Sequence, residues 1–503
     1  MKALNLKKLG LWLIVLLLAL SATSFGVMYY QVNKAWGEYV PVVDPALYAK
    51  TQDAYAITNA NVLSDNGQYM LPNQTVLIQE GKITKVGSNL SLPEDAQVID
   101  GTGKFIIPGL IDAHVHLWQS PNDLLLYLAN GVTHVRELNG SEEHLQWRAE
   151  IASGRPGPDL FVATRRHNSS SGIAGLFDRW AAKINSVADI DDIPERVNEI
   201  KDAGYDAIKI YTLLSNDHFF AFNEEAVNSD IQILGHIPYN LPLSELWPSN
   251  LKEIAHVEEF VKALDREFGG YGRDNTEAFL EFVEKRSTDI ASRLAENNMA
   301  VVSTLALVES FPVQKISVES ALSHVHVEHV NRGIAEALHP SIKVMGWLPE
   351  VNIYRLPEDY PEERVPGNQR YWKAYAKANQ ILLQAMRDNR VKVLAGTDAN
   401  VPVMVPGFSM HDELAALVRT GYKPAEALRS ATAETAQWMG LKTGVVAAGY
   451  QADLVVLNSN PLVDIDNTRA ISGVMSNGRW YSSEDTQAML KAVRDANDVV
   501  NVN

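Results

Sequence analysis

The stretch IIPGLIDAHVHL at residues 106–117 decides the fold, because it is the first of eight apolar runs that recur through the middle of the chain. The other runs are THVREL (133–138), DLFVAT (159–164), DAIKIYT (206–212), IQILGHI (231–237), EIAHVEE (253–259), AVVSTLALV (300–308) and VKVLAGTDA (391–399). The segments between them have the hydrophobic spacing of helices. Eight strands that alternate with helices predict an α/β fold, a (β/α)8 TIM barrel with a parallel sheet.

The two ends of the chain share a different pattern, in which short alternating runs are separated by tight-turn residues. This pattern occurs at 54–87 and returns in GVVAAGYQADLVVLNSNP and in ISGVMSNGRWYSS (471–483). It is typical of strands joined by hairpins. We predict a small β-sandwich built from residues 54–106 and 442–482, with the barrel domain of residues 107–441 inserted into it and a C-terminal helix or tail at 483–503. Two long excursions, 164–191 and 339–367, are either active-site lids or plain surface insertions.

Residues 1–30 predict an N-terminal transmembrane helix or signal segment. Lys2, Lys7 and Lys8 precede an apolar run from Leu9 to about Tyr30, and about 20 apolar residues suffice to cross the hydrocarbon layer. The lysines leave the N-terminus in the cytoplasm and the catalytic domain outside it, in the periplasm if the source is bacterial. The alternative is a signal peptide cleaved near Ala22-Thr23-Ser24, which gives a secreted protein.

Composition excludes several classes of protein. The 503 residues include 44 Lys and Arg against 61 Asp and Glu, a formal net charge of −17, and no cysteine. A chain this acidic is a poor partner for nucleic acid. Without cysteine there is no disulfide, no thiol nucleophile and no Cys-ligated metal. Any metal must be held by His, carboxylate or a less usual ligand.

Ligand-type side chains occur where barrel strands end, and barrel chemistry lies at those carboxyl ends. The first run contains His114 and His116, which point to one face because side chains alternate along a strand. Similar side chains end later runs: Lys209, His236, His256 and Asp398. Burial would lower the pKa of Lys209, and a neutral amine can react with carbon dioxide to give a carbamate ligand. Each residue alone has an ordinary structural explanation, but six at successive strand ends indicate a metal site.

A second histidine cluster has the same spacing but a different predicted setting. His324, His326 and His329 lie in ISVESALSHVHVEHVNRGIAEALHP, which has a helical pattern. Residues two apart diverge by about 200° around a helix. We therefore interpret this cluster as a solvated helix face rather than a chelate.

Taken together, these motifs resemble the amidohydrolase superfamily, in particular its prolidase-like and imidazolonepropionase-like branch. The matching pieces are PGLIDAHVH (108–116), GVTHVRE (131–137), IKIY (208–211), LGHI (234–237), AHVEE (255–259), GTDA (396–399) and HDELAALVRTGYKPAEALRSATAETAQWMGL (411–441). The resemblance covers about residues 54–480 and leaves the N-terminal helix outside it.

The resemblance implies a binuclear metal centre. His114, His116 and Asp398 would hold one divalent ion, and His236 and His256 the other, with carbamylated Lys209 and a hydroxide bridging them. Zinc is the leading candidate, and manganese, cobalt and iron stay open. The implied reaction is hydrolysis of an amide or other C–N bond by the bridging hydroxide, with Asp398 as general base.

Substrate recognition is less clearly marked. Residues near the predicted strand ends that could face the pocket are Arg136, Arg165, Arg166, His167, Tyr211 and Tyr239. An arginine there could clamp a carboxylate, which favours a small-molecule substrate such as a dipeptide or an N-acyl amino acid. Two alternatives stay open: a mononuclear cyclic-amide hydrolase or deaminase, and a non-catalytic exported binding domain. The sequence also leaves a homo-oligomer open.

Overall fold

A long helix, α1 (Leu6–Ala35), opens the chain in the computed structural model, which describes residues 6–337 and 346–498. Lys2 of the predicted N-terminal segment lies outside the described residues, as do residues 338–345 of the second excursion and 499–503 of the tail. Gly10–Ala35 is long and apolar enough to cross a membrane. Residues 10–30 are exposed, whereas Val32, Ala35 and the following Trp36 are buried against the body.

Five strands from the N-terminal part of the chain follow α1. They are β1 (Tyr55–Leu63), β2 (Met70–Gln79), β3 (Lys82–Gly87), β4 (Gln97–Asp100) and β5 (Phe105–Pro108). β1 pairs with β2 antiparallel and with β4 and β5 in parallel, and β2 continues to β3.

The middle of the chain forms the predicted alternation of strands and helices. In chain order these are β6 (Leu110–Val115), α2 (Asp123–Ala129), β7 (Val132–Glu137), α3 (Glu142–Ala152), β8 (Asp159–Val162), β9 (His167–Asn168), α4 (Gly172–Trp180), β10 (Asn185–Ser186), α5 (Ile193–Asp202), β11 (Ala207–Ile210), α6 (Asn216–Asn228), β12 (Gln232–Gly235), α7 (Leu243–Leu246), β13 (Leu251–Ile254), α8 (Glu258–Phe268), α9 (Thr276–Glu296), β14 (Ala300–Val302), α10 (Leu305–Ile316), α11 (Val318–Leu322), α12 (Arg332–Ala335), α13 (Val365–Asp388), β15 (Lys392–Leu394), α14 (Phe408–Arg419), α15 (Pro424–Ser430) and α16 (Ala433–Trp438).

Eight of these strands close into a parallel barrel. β6, β7 and β8 pair in order, and so do β11, β12, β13, β14 and β15. Single bridges between Ala163 and Ala207 and between Val115 and Ala399 join the two groups. The predicted (β/α)8 barrel is therefore confirmed, and its closure brings the ends of β6 and β15 side by side.

Three strands and a helix complete the chain: β16 (Leu454–Leu457), β17 (Ile471–Ser476), β18 (Arg479–Ser482) and α17 (Ser483–Asp498). β16 pairs antiparallel with β5, so strands from both chain ends form one continuous sheet in the order β18-β17-β16-β5-β1-β2-β3. Its core includes Ile57, Val76, Ile106 and Val456, all almost completely buried. In chain order, the barrel is therefore inserted between β5 and β16 of this sheet.

Candidate metal centre

The first group of candidate ligands lies where β6 and β15 meet. His114 is fully buried, and its Nε2 lies 3.3 Å from Oδ1 of Asp398. Nε2 of His116 lies 3.0 Å from the same oxygen. The backbone fixes this approach, because the Asp398 N–H donates to the carbonyl of His114 at 2.8 Å. Two imidazole nitrogens and a carboxylate oxygen that converge in this way can hold a divalent cation.

The second group follows β12 and β13. The ring centroids of His236 and His256 are 4.9 Å apart, and the ring centroids of His256 and His114 are 4.5 Å apart. Hydrogen bonds orient each ring through Nδ1: that of His236 contacts the hydroxyl of Thr212 at 2.8 Å, and that of His256 the hydroxyl of Thr304 at 3.1 Å. Nδ1 of His114 lies 3.1 Å from the carbonyl of Ala255. In each ring the remaining nitrogen, Nε2, is left for another partner.

Lys209 projects from β11 into the same region. It is 1% exposed, and within the described residues its Nζ has no hydrogen-bond partner. Burial lowers the pKa of Lys209 to about 7, although the Asp398 and Glu253 carboxylates act in the opposite direction. An unpartnered buried amine is costly unless it is neutral or modified.

Whether a metal fits this cluster can be tested by asking which of its buried polar atoms lack a hydrogen-bond partner. Nε2 of His114, Nδ1 of His116, Nζ of Lys209 and Oδ1 of Asp398 are buried without hydrogen bonds to the part of the chain that the structure describes. Burial also lowers the pKa of His114 and His256 well below the usual value, so both imidazoles are neutral. Neutral imidazole is the state that coordinates a cation, so the residues present fit a metal site.

Two carboxylates support the histidines and were not singled out from the sequence. Oε1 of Glu259 lies 3.2 Å from Nδ1 of His236, and its Oε2 accepts the Ile237 N–H at 3.2 Å. Oε1 of Glu137 lies 3.8 Å from Nδ1 of His116. The signal that could have found Glu259 is its position three residues after His256, on the first turn of α8.

A cavity of about 210 Å³ opens onto this cluster. Its wall comprises candidate ligands, cationic and acidic groups, and apolar side chains: His116, Lys209, His236, His256, Asp398, Arg166, Lys262, Glu258, Thr212, Thr304, Tyr211, Tyr354, Trp118, Leu307, Phe311 and Val401. A cavity of this volume can hold a small polar group of a ligand together with a short apolar segment.

Of the residues predicted to contact substrate, Tyr211 reaches this cavity and packs on His236 with ring centroids 4.9 Å apart. Arg166 also lines it; the guanidinium lies 4.9 Å from the Tyr211 ring, and Nη1 is 3.4 Å from the Tyr211 hydroxyl. Among described residues no carboxylate lies within ion-pair distance of Arg166.

The other predicted substrate residues lie outside this cavity. Arg136 points into the barrel, where Nη1 is 2.8 Å from Oε1 of Glu253. Arg165 lines a separate surface cavity with Glu142 and Glu143. His167 is completely buried and its Nδ1 lies 3.2 Å from the carbonyl of Lys209.

Tyr239 completes this set and is 53% exposed in an outer groove, beside the guanidinium of Arg266.

The second histidine cluster is not on a continuous helix. α11 ends at Leu322, and a single 3-10 turn covers Val327–His329. Asn331 then caps α12 by accepting from the Gly333 and Ile334 N–H groups. The prediction of a solvated helix face is therefore wrong for this segment: His326 is exposed but His329 is buried, and the ligand atoms of His326, Glu328 and His329 lie close enough together to hold a cation.

Comparison with known proteins agrees with this geometry. Residues 261–481 match the model of the Amidohydrolase family. A dihydroorotase of Listeria welshimeri is 24% identical over 437 residues, which span 82% of this chain and 91% of that protein. A dihydroorotase of Bacillus cytotoxicus is 23% identical over 438 residues, which span 82% of this chain and 92% of that protein.

Solved structures share the fold. Bottromycin amidohydrolase superposes with a TM-score of 0.68 at 21% identity, covering 92% of this chain and 96% of that one. A Xaa-Pro dipeptidase with bound methionine gives a TM-score of 0.60 at 18% identity, covering 85% of this chain and 100% of that one. These comparisons support the amidohydrolase superfamily for this chain and indicate a hydrolase acting on carbon–nitrogen bonds. Divalent metal binding is general in that superfamily.

Proposed function

We propose that the protein hydrolyses an amide with two divalent cations held by His114, His116, Lys209, His236, His256 and Asp398. The observation that carries this proposal is the convergence of these six side chains from the ends of five barrel strands, with four of their polar atoms buried and without a hydrogen bond to the described residues. Lys209 would take part as a carbamate, which turns an unpartnered buried amine into an anionic oxygen ligand. Zinc suits this set of nitrogen and oxygen ligands best.

The bound cations would supply Lewis acidity and lower the pKa of water toward neutrality. The protein's own groups then orient the reactants and move the proton. Asp398, whose Oδ1 faces His114 and His116, accepts the proton of the attacking water and delivers it to the leaving nitrogen. Glu259, Thr212 and Thr304 hold the imidazoles of His236 and His256 in one orientation.

The substrate class we propose is a dipeptide or an N-acyl amino acid. Arg166 supports it, because this guanidinium lines the cavity and has no ion-pair partner among the described residues. A substrate carboxylate would complete that pairing. Tyr211 lies beside it and can donate its hydroxyl to the same group. Trp118, Leu307 and Phe311 also line the cavity and give it an apolar surface that suits a side chain or acyl segment.

We also propose that α1 is an uncleaved membrane anchor and that the barrel lies outside the cytoplasm. Its exposed residues 10–30 match the thickness of a bilayer at about 1.5 Å per residue. The end of the helix supports retention, because Val32, Ala35 and Trp36 are part of a buried cluster of the body. A signal peptide that is removed has no need of such packing.

The test is metal analysis of the purified full-length chain and of Lys209→Ala, with turnover of Xaa-Pro dipeptides and N-acyl amino acids. We expect close to two divalent ions per wild-type chain, and loss of at least one ion and of turnover in the variant. Lys392→Ala is the matched control, because that ammonium donates to Asn298 outside the cavity. A chain that retains no metal, or a Lys209→Ala variant with normal turnover, would contradict the proposal.

A second candidate is hydrolysis of a cyclic amide, which the names of the dihydroorotase relatives favour. One ion per chain, turnover of dihydroorotate and indifference to Lys209→Ala would identify this activity. The same panel therefore separates the two candidates.

A further inference from the structure

The helix α4 has its polar and apolar faces reversed relative to an ordinary surface helix. Ile173, Leu176 and Phe177 are 86%, 60% and 38% exposed, and with Trp180 they follow the i, i+3, i+4, i+7 spacing of one helix face. The opposite face points inward. Gly175 is buried there, and Asp178 accepts a hydrogen bond from Asn168 at 2.8 Å. An apolar stripe of this kind, directed away from the body, marks an interaction surface.

This surface is continuous with the exposed part of α1. The rings of Phe25 and Trp180 stack with centroids 5.9 Å apart and an interplanar angle of 17°. The two helices are also joined below that contact, because Trp36 Nε1 donates to the carbonyl of Ala181 at 2.9 Å. The position of α4 beside the apolar helix is therefore fixed by this ring stack and by a buried hydrogen bond.

The level of this contact along α1 places α4 at the boundary of a bilayer. Tyr29 and Tyr30 end the apolar run, and Tyr30 stacks on Tyr39 with centroids 5.0 Å apart, as expected of aromatic residues in an interface. Phe25 precedes Tyr30 by five residues, so Trp180 lies about 7 Å toward the bilayer from that interface. Interfacial helices bury their apolar face by roughly 5–10 Å.

The same excursion forms part of the cavity wall. The carbonyl of Ala182, two residues beyond α4, accepts from Nη2 of Arg166 at 3.2 Å, and Arg166 contacts Tyr211 in the cavity. On the other side, Trp36 packs edge-on against Trp118 at 5.2 Å, and Trp118 also lines the cavity. Residues next to α1 and α4 are thus in direct contact with two side chains of the cavity wall, Arg166 and Trp118.

We infer that α4 is a second membrane contact whose apolar face enters the bilayer interface beside α1, so that the cavity receives an amide carried by a membrane amphiphile. This inference rests on the proposed hydrolase activity and anchor. The cavity volume supports it, because about 210 Å³ accommodates an amide headgroup while a long acyl chain would remain outside. The bilayer next to α4 is the apolar surface that such a chain would occupy.

The absence of cysteine allows a clean test with single cysteines introduced into the full-length chain. Ile173→Cys and Leu176→Cys report on α4, Leu18→Cys reports on α1, and Val463→Cys, 79% exposed in a turn between β16 and β17, is the matched control. Each is labelled with an environment-sensitive fluorophore and reconstituted into phosphatidylcholine vesicles, with or without lipids that carry a quenching nitroxide on the acyl chain. We expect blue-shifted, quenched emission at 18, 173 and 176, and water-like, unquenched emission at 463.

The outcomes separate the two membrane contacts. Quenching at 18 without quenching at 173 and 176 would overturn the inference and leave the anchor standing. Quenching at none of the three would overturn both. A blue shift at 173 that is the same in detergent and is insensitive to the nitroxide lipid would show that protein covers α4, and would also overturn the inference.

Activity supplies an independent readout. In Ile173→Glu/Leu176→Glu we expect kcat/KM toward a long-chain N-acyl amino acid in vesicles to fall about fivefold or more, because two apolar side chains leave the interface. Turnover of the short-chain analogue in solution should equal that of wild type, and Val463→Glu should resemble wild type with both. An equal loss for both substrates would contradict the inference. If the wild type turned over neither the long-chain nor the short-chain substrate, the proposed hydrolase function would instead be contradicted.

Discussion

At the scale of single residues, Asp398 has a demanding backbone conformation. Its φ of 58° is in the left-handed region, which aspartate tolerates better than most residues but which still costs energy. Neighbouring contacts hold it there: Thr397 donates to the buried Asp112 through both its N–H and its hydroxyl. In this conformation the carboxylate of Asp398 faces His114 and His116.

We expect Asp398→Asn to reduce turnover by a factor of about 10²–10⁴, because an amide cannot accept the proton of the attacking water. Most of the bound metal should remain, since the five other ligands are unchanged. Turnover and metal content measured on the same preparation test both statements. Asp65→Asn, on an exposed turn, is the control. Near-normal turnover in Asp398→Asn would exclude Asp398 as the base.

A second prediction concerns His411, which is buried on α14 with Nδ1 2.9 Å from the Thr468 hydroxyl. Burial lowers its pKa to about 3, so the folded state keeps it neutral while the unfolded state gains a proton below about 6.5. Its contribution to stability therefore falls as the pH drops from about 6.5 toward 3, by up to about 1.4 kcal/mol per pH unit. His411→Gln should abolish that loss, so the Tm difference between wild type and variant should shift in favour of the variant between pH 7 and pH 5.5. A difference independent of pH would contradict this account.

The candidate ligands could be predicted from sequence because each is a ligand-type residue at the end of an apolar run, and barrel closure brings strand ends together. The residues that line the substrate cavity could not be predicted in the same way. Arg136 also ends a strand, yet it is satisfied by Glu253, which is distant in sequence and adjacent only after the barrel closes. Tyr239 follows a ligand strand, but its ring lies outside, against Arg266. Strand periodicity fixes which face a side chain is on and not which neighbour it meets.

At the scale of elements, the docking of α1 depends on close backbone approach. The last turn of α1 crosses α12 at Gly333, where an added Cβ would lie 2.2 Å from the Lys34 carbonyl. Lys34 also pairs with Glu336 at 2.8 Å, and Asn331 donates to the Gly37 carbonyl at 2.9 Å. The apolar run predicted α1, but nothing in its pattern predicted that its end is part of the folded body.

We expect Gly333→Ala to loosen this junction, at a cost of about 1–3 kcal/mol, because the backbone of α1 or α12 must shift. Hydrogen exchange of residues 31–37 in detergent should accelerate in the variant. Gly26→Ala is the matched control, since that glycine lies in α1 with open space around its Cα. Equal exchange in both variants would show that the junction tolerates the methyl group.

At the scale of the whole molecule, the metal cluster joins both parts of the barrel. His114 and His116 come from the group of β6 to β8, and Lys209, His236, His256 and Asp398 from the group of β11 to β15 or the turn after it. In the described part of the chain, single bridges and a few backbone hydrogen bonds connect the two groups at each of their two seams. Bound cations would therefore tie the two groups together as well as supply chemistry.

Removal of metal should accordingly lower the Tm and abolish turnover, and added zinc should restore both. The stabilisation lost is roughly 4 kcal/mol where free metal had been about a thousand times Kd. Thermal melts with a chelator, and with the same chelator already saturated by zinc as the control, measure it. An unchanged Tm with full loss of activity would show that the cluster contributes chemistry without supporting the barrel.

The pairing of β5 with β16 has a consequence for biogenesis. The register joins Ile106 to Val456, so the edge of β5 is filled only by residues that follow the entire barrel. During synthesis β5 therefore presents an unpaired, apolar edge for most of the time the ribosome is working, and such edges invite association with other chains. β16 pairs with this edge of β5 only after the barrel has been synthesised. We therefore expect a chain that terminates before β16 to aggregate rather than to yield a free barrel.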